Sequence, residues 1–128
     1  MGFLSRRIIP DYVRYARVAF AAFGDRVKHW ITLNEPDVIA GHGYSVGAFA
    51  PGRGSDRRVC DAGDSSTEPW IVAHHLLLAH GYAVQAYRHE SRETQSGQIG
   101  ITLNGDWCEP FSPSDEHLIT SPPMCTHS

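Results

Sequence analysis

Val27-Lys28-His29-Trp30-Ile31-Thr32-Leu33-Asn34 runs directly into Glu35-Pro36, and this stretch decides how the rest of the chain is read. Its β-branched and aromatic side chains suit a pleated, half-buried surface, and Pro36 cannot continue a ladder, so a strand ending at Asn34 is expected. Further along, Gln98-Ile99-Gly100-Ile101-Thr102-Leu103-Asn104 has the same character and reads as a second buried strand. Between them, Ser66-Thr67-Glu68-Pro69 supplies capping hydroxyls and an early proline for a helix running to about His89. Its middle, from Ile71 through Leu76-Leu77-Leu78 to Ala86, is apolar over more than one stripe, so cover on several sides is expected.

Upstream, Tyr12, Ala16, Ala19, Phe20 and Phe23 share one helical face, with Pro10 suited to a first turn and Gly24 to a stop. The order is helix, strand, long connection, helix, strand. A crossover helix between two strands implies that they are parallel, and parallel sheets are stable almost only with both faces covered. One such unit cannot cover itself. The expected fold class is therefore α/β, a fragment of a (β/α)8 TIM barrel. A barrel takes roughly 250 residues or more, of which this chain would hold about a quarter. The connection from Glu35 to Glu68 is rich in Gly, Pro, Ser and Asp and reads as a loop; loops of that length tend to carry function.

The charge pattern excludes several classes of partner. Eleven basic and 14 acidic residues give a net charge of −3, and no basic cluster exceeds Arg57-Arg58, so neither nucleic acid nor an anionic membrane is an expected partner. The opening Met1-Gly2-Phe3-Leu4-Ser5-Arg6-Arg7 lacks the apolar core of a secretory signal, and no apolar run reaches the roughly 18 residues of a membrane span; a cytoplasmic protein is expected. Cys60, Cys108 and Cys125 are odd in number and far apart and read as free thiols. His74-His75 and His80 lack metal-ligand spacing and read as buried or capping histidines, so no metal or cofactor is expected.

In a barrel, catalytic side chains project from the C-terminal ends of strands, and Asn34-Glu35 occupies that point. A glutamate there is suited to proton transfer and a neighbouring asparagine to holding a sugar hydroxyl. Taken alone, Asn-Glu-Pro is a weak signal, since a glutamate after a strand is commonly a solvated loop residue or a helix cap. The surrounding residues add to it. Trp30-Ile31-Thr32-Leu33-Asn34-Glu35-Pro36 resembles the acid/base signature of glycoside hydrolase family 1. Phe23 to Trp30, Gly43-Tyr44, Phe49-Ala50-Pro51-Gly52-Arg53, Glu68-Pro69-Trp70, Leu77-Leu78-Ala79-His80 and Gly97 to Asn104 with Trp107 and Glu109-Pro110 continue the likeness in order. Gly63-Asp64-Ser65-Ser66 and Gly105-Asp106-Trp107 look most like fungal intracellular members.

The resemblance implies that residues 1–117 are part of a family 1 catalytic barrel, about its strands 4 and 5 with the helices around them. Residues 118–128 are expected to be foreign to the family and disordered. It further implies a retaining β-glucosidase acting on a β-glucoside or cello-oligosaccharide, in carbohydrate metabolism and cellulose degradation. Glu35 would be the catalytic acid/base and Asn34 the contact to the sugar 2-hydroxyl. Asn104, at the end of its strand, is a candidate substrate contact, and Trp107 either lines the cleft or covers the barrel end. Arg53 is expected to anchor its loop, His75 to serve its helix, and Trp30 and Trp70 to pack in the core. The nucleophile, which the family places in a later Thr-Glu-Asn-Gly-like motif, has no counterpart here. Asp37 stands where the family commonly has tryptophan, which puts leaving-group preference in question. The competing reading is a truncated, non-catalytic fragment that binds carbohydrate or another protein.

Overall fold

The computed structural model describes residues 2–105 and, as backbone, the strands at 107–109 and 124–126. A 3-10 turn at Gly2–Leu4 leads into helix α1 (Ile8–Phe23), strand β1 (His29–Asn34) and helix α2 (Pro36–Tyr44). After a long connection come helix α3 (Glu68–Glu90), the single turn α4 (Arg92–Gln95) and strand β2 (Gln98–Thr102). β1 and β2 pair in parallel, with His29 opposite Gln98, Trp30 opposite Ile99 and Ile31 opposite Gly100. The short strands β3 (Trp107–Glu109) and β4 (Met124–Thr126) pair antiparallel. Of the tail at 118–128, only β4 lies among the described residues.

Periodicity sets the packing. Ile9, Val13, Ala16 and Phe20 are the buried residues of α1, and Val72, His75, Leu76, Ala79, Ala83, Ala86 and Tyr87 form one buried stripe on α3. Alanines at the crossing let the two helix backbones approach. Phe20 meets both Trp30 and Tyr87 edge-on at 5.0 Å between ring centroids, a geometry favoured by the ring quadrupoles. A second cluster joins Leu33, Ala40, Tyr44, Val72 and Leu76, and Tyr12 packs against both. Truncating fully buried Leu76 to alanine would cost about 2–5 kcal/mol by lost transfer energy and the cavity left behind.

Four expectations are corrected. The Glu35–Glu68 stretch is not loop throughout, because α2 occupies its start: Pro36 ends the strand and, lacking an N–H to leave unpaired, opens the helix at its first position. α3 is covered on one face only, leaving Trp70, Ile71, Leu77 and Tyr82 exposed, since the described elements offer partners to a single stripe. Trp70, expected in the core, is 75% exposed for the same reason, whereas Trp30 does pack inward. The hydroxyls of Ser66 and Thr67 do not cap α3; both donate to Asp64, whose own carbonyl accepts from the Glu68 amide at 3.0 Å.

Among the described residues the sheet has one covered and one open face, and the change of side along β1 is irregular. Trp30 and Thr32 face the helices, as alternation requires, but so does Leu33, which belongs to the core. The register explains it: three steps of β1, from Ile31 to Asn34, match two steps of β2, from Gly100 to Thr102. This is a β-bulge, an extra residue that turns the remainder of the strand to a new aim.

Candidate active site

The bulge places the strand end. Without it Asn34 would fall on the side of Trp30 and Thr32, against the helices; with it, Asn34 is exposed, as is Ile31. Glu35 comes next as the link between sheet and helix, and its backbone is left-handed, φ 47° and ψ 63°. For a residue with a Cβ that conformation costs about 1–2 kcal/mol and persists only where the surroundings over-determine it. Both of its backbone groups are taken. Its amide donates to the Thr102 carbonyl at 3.0 Å, and its carbonyl accepts from the Ile39 amide at 3.2 Å.

Glu35 thus holds the cap position of α2, yet its carboxylate makes no capping hydrogen bond. No ion pair among the described residues takes it up either. The side chain is half-buried at the rim, with exposed Asn34 before it and exposed Asp37 in the first turn of α2. Asn104 is exposed two residues beyond Thr102, the residue whose carbonyl receives the Glu35 amide, so Asn34, Glu35 and Asn104 share one end of the sheet. The Trp107 side chain lies outside the described residues.

Two other described glutamates are committed elsewhere. Glu68 is paired with Arg53, whose guanidinium holds its carboxyl below the ordinary value; Arg17 does the same for Glu90. Arg53 therefore anchors its loop, as expected. His75 is nearly buried and its Nδ1 lies 2.8 Å from the Phe3 carbonyl, a structural role. The reading from sequence missed the node around Thr32: its hydroxyl lies 2.8 Å from Nδ1 of His80 and donates to the Gly100 carbonyl at 3.0 Å, while the Tyr12 hydroxyl donates to its carbonyl. A lone hydroxyl residue within the strand, with His80 amid the apolar run of the crossover helix, was the available signal.

A parallel strand pair with a crossover helix, carrying a strained glutamate at its carboxyl end, is the build of a barrel glycosidase segment. The chain belongs to glycosyl hydrolase family 1, whose sequence profile matches residues 1–125, and it carries a fragment of that family's (β/α)8 barrel. It is 56% identical over 119 residues to Beta-glucosidase 1B of Phanerodontia chrysosporium, covering 92% of this chain and 22% of that protein. A mutant of the rice Os3BGlu6 β-glucosidase, solved in a covalent complex with Glc from GA4GE, superimposes with a TM-score of 0.82 at 48% identity. That match covers 91% of this chain and 25% of the rice chain. The β-glucosidase of the fungus Humicola insolens, solved in complex with glucose, gives a TM-score of 0.82 at 51% identity, over 89% of this chain and 24% of that one. The chain thus spans about a quarter or less of the length of the proteins it matches.

Proposed function

We propose that this chain is the acid/base segment of a retaining β-glucosidase, with Glu35 donating a proton to the leaving glycosidic oxygen and later activating water against a glycosyl-enzyme intermediate. The observation that carries the reading is Glu35 itself: a left-handed, doubly anchored residue at the carboxyl end of β1 whose carboxylate is spent on neither cap nor ion pair among the described residues. Strain of this kind collects where geometry serves chemistry. The covalent Glc complex of the rice mutant supports a double displacement in the family. Asn34 would hold the 2-hydroxyl, and Asn104 a polar group of the leaving sugar or aglycone; terminal β-glucosides and cello-oligosaccharides are the proposed substrates.

A retaining mechanism needs a second carboxylate about 5–5.5 Å from the first. Among the other described glutamates, Glu68 and Glu90 are held by arginines and Glu93 lies in α4, ahead of the opposite end of β2, so we infer that the nucleophile comes from another segment. The test is a completed enzyme in which residues 1–105 replace the matching segment of Beta-glucosidase 1B. Glu35→Gln should lower turnover of glycosides with poor leaving groups by about 10²- to 10⁴-fold, the ordinary contribution of general acid catalysis, and spare activated aryl glucosides in the glycosylation step. Equal loss for all leaving groups would overturn the assignment.

A further inference from the structure

We propose that Thr32, His80 and Tyr12 form a positioning node that holds the β1 bulge and thereby aims Asn34 and Glu35; the inference rests on the acid/base reading of Glu35. The node sits inside the irregularity. The register slips between Ile31 and Asn34, and Thr32 is the first residue of the slip. Its three polar contacts reach three different elements. Tyr12 of α1 donates to its carbonyl, His80 of α3 meets its hydroxyl at 2.8 Å, and that hydroxyl reaches the Gly100 carbonyl of β2 at 3.0 Å.

The proton inventory fixes the direction of these bonds. Thr32 has one hydroxyl proton, and the Gly100 carbonyl can only accept it. The same oxygen must therefore accept from His80, so the imidazole carries its proton on Nδ1. Burial, and secondarily the charge of Arg88, lower the His80 pKa, which favours the neutral ring. The hydroxyl bridges helix and partner strand at the last regular position before alternation breaks at Leu33, so a slide of β1 along β2 that removed the extra residue would pull Thr32 off both contacts.

The alternation shows what the node controls. With Thr32 and Leu33 both turned to the helices, the next outward position falls to Asn34, and the chain enters the left-handed turn at Glu35. Loss of the extra residue's conformation would turn Asn34 toward the helices and shift the carboxylate. Misplacement of a catalytic group by about 1 Å costs on the order of 10²-fold. Neither Thr32 nor His80 needs to touch substrate for this; both act through Glu35.

The enzyme completed with Beta-glucosidase 1B supplies the test. Thr32→Val, nearly the same shape without the hydroxyl, and His80→Leu should each lower kcat about 10- to 100-fold on a poor leaving group, with KM within about twofold. On a dinitrophenyl glucoside the loss in the glycosylation step should be much smaller. Thr32→Ser, and His80→Asn with its retained N–H donor, should recover the parent's dependence on leaving group. In a Glu35→Gln background, Thr32→Val should add nothing further. If Glu35→Gln shows the leaving-group signature but Thr32→Val and His80→Leu slow every substrate alike, or none, the node is merely structural and the inference falls. If Glu35→Gln itself lacks the signature, the acid/base reading falls instead.

Discussion

Arg53 grips Glu68 through two parallel hydrogen bonds, Nε to Oε2 at 2.8 Å and Nη2 to Oε1 at 2.6 Å, joining the long connection to the first residue of α3. The fork geometry is specific to arginine, so lysine at this position should not substitute. Glu68→Gln or Arg53→Lys in the completed enzyme should raise the rate of proteolytic nicking within residues 45–67 several-fold while leaving α1 and α3 protected. The pH dependence has a fixed sign. The Glu68 carboxyl is held below its ordinary 4.5, so this pair's stabilisation is present above that value and is lost as pH falls through the folded value beneath it. Amide exchange in the loop, tracked from about pH 7 down to about pH 3, should show that loss in the parent and not in Glu68→Gln.

Tyr12 makes the opposite prediction at alkaline pH. Burial, with Tyr15 adding to it, pushes its phenol up to about 12. An unfolded tyrosine ionises near pH 10, so between about 10 and 12 the unfolded state binds fewer protons and stability falls as pH rises. Urea midpoints of the completed enzyme from about pH 9 to about pH 11.5 should decline in the parent and more shallowly in Tyr12→Phe. The phenylalanine variant should also start lower by about 1 kcal/mol for its lost hydrogen bond to Thr32.

Gly97 is required by space. A Cβ there would lie 2.7 Å from the Lys28 carbonyl oxygen, which already accepts from the Gln98 amide at 2.8 Å, and would also press on the Tyr87 hydroxyl. Backbone cannot swing aside as a side chain can. Gly97→Ala should destabilise by about 1–3 kcal/mol, whereas Gly100→Ala, whose Cβ would meet nothing among the described residues, should be close to neutral. Thermal unfolding of the two variants side by side checks this.

Residues 1–128 by themselves should release no glucose from aryl β-glucosides, because retention needs a nucleophile opposite Glu35. They should also self-associate, since Ile31, Trp70, Leu77 and Leu103 are all more than half exposed. Gel filtration and a glucose assay against a Glu35→Gln control test both points. Turnover that depends on Glu35 would refute the account of the missing carboxylate.

The strands were readable in advance because β-branched and aromatic runs ending at Pro36 and after Thr102 have few alternatives; both lie within two residues of where they were expected. α2 was not, because Gly41 and Gly43 depress helix propensity and Pro36 had already been used as a strand stop, although one proline serves both purposes. Trp70 shows a different limit: burial depends on which element lies opposite, and no local pattern records that. Glu35 could be placed at a strand end from sequence, but its positive φ could not, because the conformation is imposed by Thr102, distant in sequence, and by the first turn of α2. Leu33 meets the same limit. Strict alternation put Ile31 and Leu33 together, and the bulge separates them.

The connection after α2 is tied largely to itself. The Ser55 and Ser65 amides each donate to the other's hydroxyl, at 2.8 and 2.9 Å, and Arg57 donates to the carbonyls of Gly54 and Gly63. Cys60 closes its interior at 2% exposure. A segment so closed behaves as a cassette. Exchanged as a unit from Ser45 through Glu68, with its Arg53 clasp carried along, it could change in length and composition while Glu35 stays where β1 and β2 put it, so that the connection and the strand end are free to diverge separately.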